Sequence, residues 1–331
     1  MAAVNSCMVY LIMYRRMITT VLGDIPAARL GFCQSHEHVY IRECPARAGE
    51  AIDDKEKSLA ELKAYCRVGG GALVDAQPIG AGRDAAALAY LAEQSGVHII
   101  ASTGFHKLSY YPEEHWVFSA DEEALTRLFT AELEEGMFFD GDTAFPRDQG
   151  RARAGQIKTA LDVEGLSKRY QKLFRSAAAA AKATGCPFMA HIEPGSDPVA
   201  LADFLEKEGL SPERVIFCHA DRAVRDTGIH LELCRRGIFL EYDTIGRSKY
   251  HDDKRELEII TGLLETGYGD KLLLGLDTTR ARLCSYGGSP GLFFIINIFI
   301  PFMQVYGISE AEIRRFFVEN PACIFDNDGD C

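Results

Sequence analysis

The sequence lacks the features that mark a secreted, disulfide-rich protein. Its ten cysteines are scattered along the chain, and none of them forms a Cys-x-x-Cys pair or a densely spaced framework. This usage favours a reduced setting, and we expect the protein to be cytoplasmic. The apolar stretches are also shorter than the roughly 18 to 20 residues that a membrane span needs, so we expect no membrane association.

Positive charge is scarce as well. The chain has 36 lysines and arginines against 48 aspartates and glutamates, and its formal net charge is −12. No long basic run interrupts this acidic background, which disfavours nucleic acid or an anionic membrane surface as a partner. A positively charged pocket, if there is one, must be built locally from a few side chains.

Length and composition indicate a large globular core. The chain has 331 residues, of which 47% are hydrophobic and 25% charged, enough for one (β/α)8 barrel or two smaller domains. Near the start, a short apolar run precedes Arg15 and Arg16, the wrong order for a secretory signal. We therefore expect residues 1–16 to be a dispensable extension that precedes the folded part of the chain, residues 17–331.

Short apolar runs alternate with helix-length amphipathic segments, the pattern of repeated βα units and a parallel sheet. Eight such units favour a closed (β/α)8 barrel over an open sheet. The predicted strands are Leu30–His38, Ala72–Gln77, His98–Thr103, Gln156–Leu161, Phe188–Glu193, Val215–His219, Ile238–Tyr242 and Lys271–Asp277.

Three segments outside these units carry further predictions. Gly291–Tyr306 is apolar almost throughout and is predicted as a buried eighth helix. Ser309–Val318 is predicted as a C-terminal capping helix, because Ser309 is followed by a glutamate three residues later. Met137–Arg153 is long and irregular, which is typical of a functional or disordered loop.

The first predicted strand ends in a His-x-His pair, His36 and His38. Residues two apart in a strand point to the same face, so both imidazoles can reach one point. Glu37, between them, should point away and serve packing or orientation. Taken alone, the pair is as compatible with two ordinary histidines as with a metal site.

Later strands also end in polar residues that suit metal binding: Lys158, His191, His219 and Asp277. Each has a simpler interpretation, as a hydrogen-bonded structural histidine, a solvated lysine or a helix N-cap. In a barrel, however, the carboxyl ends of all strands meet at one mouth, where the active site lies. Imidazole and carboxylate suit Zn²⁺ or Mn²⁺, and a lysine between two cations makes sense only as a carbamate.

These residues, together with the closing Val318-Glu319-Asn320-Pro321-Ala322 segment, resemble the phosphotriesterase family of the amidohydrolase superfamily from about Ile18 to Phe325. The resemblance implies a metal-dependent hydrolase with two divalent ions, zinc first and manganese or cobalt as alternatives. It also implies how the ions are held: His36, His38 and Asp277 on one, His191 and His219 on the other, and carboxylated Lys158 with a hydroxide bridging both. That hydroxide would attack the substrate, and Asp277 would accept its proton.

Substrate choice is expected to come from the loops after strands seven and eight, where barrels of this type commonly bind phosphate. These loops are locally basic, and they resemble the phosphofuranose lactonase branch of the family. By that resemblance, the phosphate-binding candidates are Lys249, Arg280 and Tyr286, with Arg247 and Arg282 as competitors. The alternative is that the four cations are solvated and paired to nearby acidic residues.

The loop after the third strand offers a second wall for the substrate. Family lactonases place a tyrosine in this region, which makes Tyr110 or Tyr111 a candidate for substrate contact. His106, in the same loop, is equally compatible with a structural role.

The function implied is the opening of a lactone, most specifically a phosphorylated furanose lactone. Alternatives within enzymes are a neutral lactonase of the acyl-homoserine type and an organophosphate or carboxyl ester hydrolase. From another class, a metal-loaded binding protein without turnover would need a lost ligand, and all six are present. The small-molecule substrate should be anionic, and a homodimer is compatible with what is common among relatives.

Overall fold

A computed structural model of the chain describes residues 16–44 and 49–327. The predicted extension over residues 1–16 therefore lies outside the described residues, apart from Arg16. The fold opens with an antiparallel hairpin of β1 (Met17–Thr20) and β2 (Gly23–Pro26). Ile18 of this hairpin is buried and pairs with Asp326, so the hairpin lies against the segment that follows the last helix.

Eight parallel strands follow within the described residues, each pairing with its neighbour in chain order. They are β3 (Phe32–Glu37), β4 (Gly70–Asp75), β5 (His98–Gly104), β6 (Gln156–Leu161), β7 (Phe188–Ile192), β8 (Val215–Cys218), β9 (Phe239–Tyr242) and β10 (Leu272–Leu274). All eight overlap the predicted strands, and β6 has the predicted bounds.

The sheet closes where β10 returns to β3. The Asp277 N–H donates to the His36 carbonyl over 3.0 Å, and the Leu276 N–H donates to Oε1 of Glu37 over 2.9 Å. Gly275 permits this approach, because a Cβ there would lie 2.9 Å from the backbone of His36. The predicted single-domain (β/α)8 barrel is confirmed.

The barrel interior is filled by apolar side chains at its base. Ile100, Met189, Ile216, Phe239 and Leu273 are fully buried there. Since inward-pointing side chains recur every two residues, the next inward positions along these strands reach the mouth. Packing therefore fixes which side chains of each strand face the site.

Helices cover the outside of the sheet. Their bounds are α1 (Lys55–Arg67), α2 (Ala85–Ser95), α3 (Trp116–Ser119), α4 (Glu122–Glu134), α5 (Lys168–Thr184), α6 (Pro198–Lys207), α7 (Ala220–Ala223), α8 (Thr227–Arg235), α9 (Asp253–Glu265), α10 (Ile300–Val305), α11 (Glu310–Arg314) and α12 (Asn320–Ile324). Most of the long ones begin after an aspartate whose side chain accepts a backbone N–H, as Asp84 does from Ala87.

The prediction of a buried helix over Gly291–Tyr306 is correct in its helical character and wrong about its burial. A short π-helix over Ile295–Phe299 continues directly into α10, and only one side of the segment packs on the core. On the other side Ile298 is 55% exposed and Val305 is 85% exposed. Along the described chain, no helix is both long enough and apolar enough to cross a membrane.

The capping helix is present but is split by a π-turn over Arg315–Glu319. Ser309 and Glu312 form the predicted capping box. The irregular Met137–Arg153 segment packs beside the barrel: Asp142 accepts from Arg42 and from the Gly82 N–H. None of its residues lines the central cavity described below.

Candidate active site

The six residues predicted as metal ligands line one cavity of about 290 Å³ at the C-terminal mouth of the barrel. Two of them come from the region of β3, and the others come from or follow β6, β7, β8 and β10. They are His36, His38, Lys158, His191, His219 and Asp277. The topology thus brings together residues up to 241 positions apart in the chain, as the strand-end pattern predicted.

Two of the six stand on strained backbone. His219 has φ 64° and Asp277 has φ 48°, and they are the non-glycine residues with positive φ within the described ranges. Such conformations cost of order 1–3 kcal/mol each and cluster at functional sites, where the surrounding structure enforces them. The strain here aims both side chains back into the mouth.

His36, His38 and Asp277 form the first compact group. Oδ1 of Asp277 lies 3.9 Å from Nε2 of His36 and 3.6 Å from Nε2 of His38. All three offer ligand atoms within 4.8 Å of one another. Imidazole nitrogen and carboxylate oxygen suit Zn²⁺ and Mn²⁺, so this group can hold one divalent ion.

His191 and His219 form the second group, with ring centroids 4.4 Å apart. The two groups adjoin, since the rings of His36 and His219 are 4.8 Å apart. Nε2 of His191 contacts Oε2 of Glu193 at 2.7 Å, which leaves Nδ1 of that ring for a ligand. Burial is the main cause that lowers the pKa of all three imidazoles, which favours the neutral, metal-binding form.

Lys158 is buried beside both groups and is not a solvated edge residue. Its Nζ has one hydrogen bond to another side chain among the described residues, to Sγ of Cys218 at 2.9 Å. Its charge is one cause of the lowered pKa values of His36 and His191. Within the described residues no carboxylate lies within salt-bridge distance of this ammonium, although burial of a charge normally requires a counterion.

Two carboxylates that the sequence analysis did not single out orient the histidines from below. Oε2 of Glu241 is hydrogen-bonded to Nδ1 of His36 at 2.9 Å. Oδ2 of Asp243 lies 2.6 Å from Nδ1 of His219, which is hydrogen-bonded to Nη2 of Arg222 at 2.8 Å. Such partners fix the tautomer and orientation of a ligating imidazole. Their signal was available, because Glu241 and Asp243 alternate with Tyr242 at the end of a strand, as the His-x-His pair does at the end of β3.

Arg222 is the other residue that sequence reasoning missed. It follows His219 by three positions, and its guanidinium contacts Oδ1 of Asp243 at 2.5 Å and Oδ2 of Asp277 at 2.7 Å. Arg247 also contacts Oδ2 of Asp277, at 2.5 Å. Although burial opposes it, Arg222 and then His219 and Arg247 hold the pKa of Asp277 well below its usual range.

The rim of the cavity is cationic on two sides. Arg247 and Lys249 line it from the loop after β9, as predicted. Lys107 lines it from the loop after β5, where its Nζ is paired with Oε2 of Glu193 at 2.8 Å. Lys249 lies over the ring of Tyr250, 4.7 Å from its centroid. The alternative pairing of this loop with nearby acidic residues does not hold for Arg247, whose partner is Asp277.

On the wall after β5, Tyr110 lines the cavity together with His106. The hydroxyl of Tyr111 instead accepts from the His106 N–H at 2.7 Å, and its side chain is buried. The structure therefore places Tyr110, and not Tyr111, beside the residues predicted as metal ligands.

Arg280 and Tyr286 line a separate, more open cavity of about 520 Å³, which shares Glu50 and Thr279 with the central one. Arg280 lies over the ring of Tyr286, 5.1 Å from its centroid. The Tyr286 hydroxyl is occupied by Ser58 and the backbone of Asp54. These two candidates are thus beside the mouth, not inside it.

Arg282 does not face either cavity. It is buried, and its guanidinium donates to the carbonyls of Ile245 and Gly246 at 2.7 Å and 2.9 Å. Its place is under the loop that carries Arg247 and Lys249. Of the two arginines, Arg280 is the one that lines a cavity.

Glu37 lies outside the cavity, as predicted. Both of its oxygens accept from backbone N–H groups of the segment after β10, at Leu276 and Thr278. Burial raises its pKa to about 8. Its role is to fasten β3 to the segment that carries Asp277.

A barrel whose mouth gathers histidines, an aspartate and a buried lysine is the architecture of a metal-dependent hydrolase. The sequence profile of the phosphotriesterase family matches residues 16–325, and the chain belongs to that family. The class and the family predicted from the strand-end residues are thereby confirmed.

Relatives in this family include enzymes with different named activities. The chain is 28% identical to a phospho-furanose lactonase of Mycoplasmopsis synoviae, over 93% of this chain and 91% of the relative. It is also 28% identical to an N-acetyltaurine hydrolase of Danio rerio, over 93% and 97%. A lactonase structure from Listeria monocytogenes superposes with a TM-score of 0.85 at 26% identity, over 93% of this chain and 98% of that one.

Proposed function

We propose that this hydrolase opens a lactone ring, and that its substrate is a furanose lactone carrying a phosphate. The observation that carries the proposal is that Arg247 and Lys249 line the same cavity as the six metal-ligand candidates. On a chain of net charge −12, these cations at the mouth are a local feature. The named activity of the mycoplasmal relative supports the same substrate class.

We assign the metal ligands as the groups in the mouth suggest. His36, His38 and Asp277 would hold one divalent ion, and His191 and His219 would hold the other. Carboxylated Lys158 would bridge them, because its Nζ lies buried between the two groups. Two such ions, zinc first, would supply a Lewis acid for the carbonyl and a water activated near neutral pH.

The side chains of the chain itself then have distinct tasks. Arg222 and Arg247 keep Asp277 ionised, so that its carboxylate can accept a proton from the attacking water and return it to the ring oxygen that leaves. Lys249 would bind the phosphate as a point charge, at the side of the cavity opposite Tyr110. Binding of the phosphate away from the reacting carbonyl would orient the ring and raise the rate as well as the affinity.

A second candidate is the hydrolysis of an N-acyl amino sulfonate. The relative from Danio rerio is named an N-acetyltaurine hydrolase and is as similar in sequence as the lactonase. The same cationic rim could bind a sulfonate, and an amide carbonyl could occupy the place of the lactone carbonyl. Neutral lactones and organophosphate triesters fit the rim less well, because they carry no group for Lys249.

The proposal is tested by a substrate panel with the zinc-loaded protein. Phosphorylated furanose lactones, neutral γ-lactones, an acyl-homoserine lactone, a triester and N-acetyltaurine are compared by kcat/KM. We expect phosphorylated lactones to exceed neutral ones by about 100-fold, since charge-assisted hydrogen bonds contribute roughly 1.5–3 kcal/mol. Preference for N-acetyltaurine over every lactone would favour the second candidate and overturn the first.

A further inference from the structure

A second set of metal-ligating side chains meets beside the active site, in a place that the proposed catalytic centre does not use. Asp221, His251 and Glu256 each offer one ligand atom, and these atoms lie within 4.8 Å of one another. Nε2 of His251 is 2.5 Å from Oε2 of Glu256. Arg222 and Tyr250 separate this set from the mouth, because both residues line the central cavity and the cavity next to it.

The carboxylate of Asp221 is held in place by three backbone N–H groups. Oδ1 accepts from Arg222 at 2.9 Å, and Oδ2 accepts from Asp243 at 3.1 Å and from Thr244 at 2.7 Å. Each carboxylate oxygen has two lone pairs, so Oδ1 keeps one for a further partner. Asp221 is thus a fixed ligand that needs no reorganisation to bind an ion.

A second observation, at the side chain of Glu256, also indicates that this place could hold a cation. Its side chain is fully buried, and its Oε1 has no hydrogen-bond partner within residues 16–44 and 49–327. An orphaned oxygen on a buried carboxylate is costly unless a cation or a proton satisfies it. Burial, then the charge of Asp221 and a side-chain hydrogen bond that protonated Glu256 can make to that carboxylate, raise the pKa of Glu256 well above its usual range.

The neighbouring arginines do not satisfy this charge. Arg222 directs its guanidinium to Asp243 and Asp277, and Arg255 directs its own to Glu258. Burial raises the pKa of Asp221 and the charge of Arg222 opposes that rise, but within the described residues no arginine or lysine forms an ion pair with either Asp221 or Glu256. One imidazole and two carboxylates form a donor set that suits a divalent ion of the zinc or manganese type.

We propose that Asp221, His251 and Glu256 form a third metal site of this protein, which binds one Zn²⁺ or Mn²⁺ ion independently of the catalytic centre. The adjoining cavity of about 300 Å³ gives solvent access, so that water can complete the coordination of the ion. Three protein ligands from three different elements are enough to fix it.

The site has a consequence for the substrate loop. His251 follows Lys249 and Tyr250 directly, Asp221 belongs to α7, and Glu256 belongs to α9. An ion held by all three would fasten the loop that carries Lys249 to two helices. This part rests on the proposed function: loss of the ion should raise KM for a phosphorylated lactone by about 5-fold to 10-fold, with kcat changed by less than 2-fold.

The site itself is tested without any activity assay. The full-length protein is stripped with a chelator, reloaded with Zn²⁺, freed of excess metal, and its zinc content is measured per chain. We expect Glu256→Gln and His251→Gln each to hold one zinc fewer than the wild type. Glu258→Gln, on the same helix and paired to Arg255, is the matched control and should hold as many as the wild type.

Only the difference between variant and wild type is used, so an error in the assigned number of catalytic ions leaves the test intact. Equal zinc content in wild type, Glu256→Gln and His251→Gln would overturn the third site and leave the proposed function untouched. Crystals of the zinc-loaded wild type give a check that does not depend on folding of a variant. An anomalous peak at the zinc edge among the three side chains supports the site, and its absence contradicts it.

Discussion

The guanidinium of Arg222 donates to Oδ2 of Asp277 over 2.7 Å. The two oxygens of Asp277 therefore have different partners, because the other oxygen, Oδ1, faces His36 and His38. One oxygen is thereby available to a metal ion while the other is held by positive charge. The arrangement keeps Asp277 ionised in a buried place where an isolated carboxylate would tend to take up a proton.

Replacing Arg222 by glutamine should show that the ionisation of Asp277 depends on Arg222. Without the neighbouring cation the pKa of Asp277 rises, so the acidic limb of the pH profile of kcat/KM should move to higher pH. We expect a shift of about one pH unit, equivalent to roughly 1.4 kcal/mol, with the largest loss of rate at the acidic end of the profile. Arg235→Gln, an exposed arginine on α8, is the control; an unchanged acidic limb in Arg222→Gln would contradict the role of Arg222.

The metal content and kcat of Lys158 variants should depend on which residue replaces the lysine. Lys158→Ala removes the proposed bridge, so we expect reduced metal content and a loss of kcat of at least about 1,000-fold, by analogy with other residues that act directly on the reacting centre. Lys158→Glu restores an anionic oxygen near the same place and should recover part of the metal content. Metal analysis of both variants decides the matter, and an alanine variant with undiminished metal content would rule out the bridge.

Lys249 should matter only for charged substrates. We expect Lys249→Ala to lower kcat/KM for a phosphorylated lactone by about 10-fold to 100-fold, the value of one charge-assisted hydrogen bond. For an unphosphorylated lactone the change should stay within about 2-fold. Lys254→Ala, on the exposed side of the following helix, serves as the control. Equal losses on both substrates would show that Lys249 supports the loop and not the phosphate.

Arg282 should act on stability. Its guanidinium donates to two buried carbonyls under the substrate loop, and Arg282→Leu would leave both without that partner. We expect the free energy of unfolding to fall by about 2 kcal/mol, measured by urea denaturation. Arg280→Leu, at an exposed position, should change it by less than about 0.5 kcal/mol. Similar values for the two variants would contradict the buried structural role.

Asp75 should make stability depend on pH. It is fully buried, and burial raises its pKa from 3.8 to about 7 while the N–H groups of Val39 and Gln77 oppose the rise. The folded state therefore binds a proton more tightly than the unfolded state, and this contribution is complete below about pH 4 and lost as the pH rises through 7.

The measurement compares the wild type with Asp75→Asn in urea at pH 5 and pH 8. Asparagine cannot ionise, so the advantage of the wild type over the variant should be larger at pH 5, by roughly 2 kcal/mol. A difference between the two proteins that is the same at both pH values would show that Asp75 does not titrate in this range.

The sequence predicted the barrel and the group of six because both rest on local periodicity. The two-residue repeat of a strand places His36 beside His38, and the barrel then collects the strand ends whatever their distance in the chain. The start of the capping helix was also readable from a local pattern, since Ser309 caps that helix together with Glu312.

What the sequence did not show depends on partners that are distant in the chain. The role of Arg222 depends on its hydrogen bond to Asp277, which lies 55 positions later, and no local sequence pattern connects the two residues. Arg280 and Arg282 differ by two positions in a basic loop, yet one reaches a cavity and the other is buried under the substrate loop. Burial of a loop residue is decided by tertiary packing, so the sequence left both as candidates.

The central claim is that the metal-loaded mouth opens a phosphorylated lactone. The most direct measurement is proton release from one furanose lactone, with and without its phosphate, by chelator-stripped and by zinc-reloaded protein. The account predicts hydrolysis only after reloading, with kcat/KM about 100-fold higher for the phosphorylated form. Undiminished hydrolysis by the stripped protein, or equal rates on the two lactones after reloading, would contradict it.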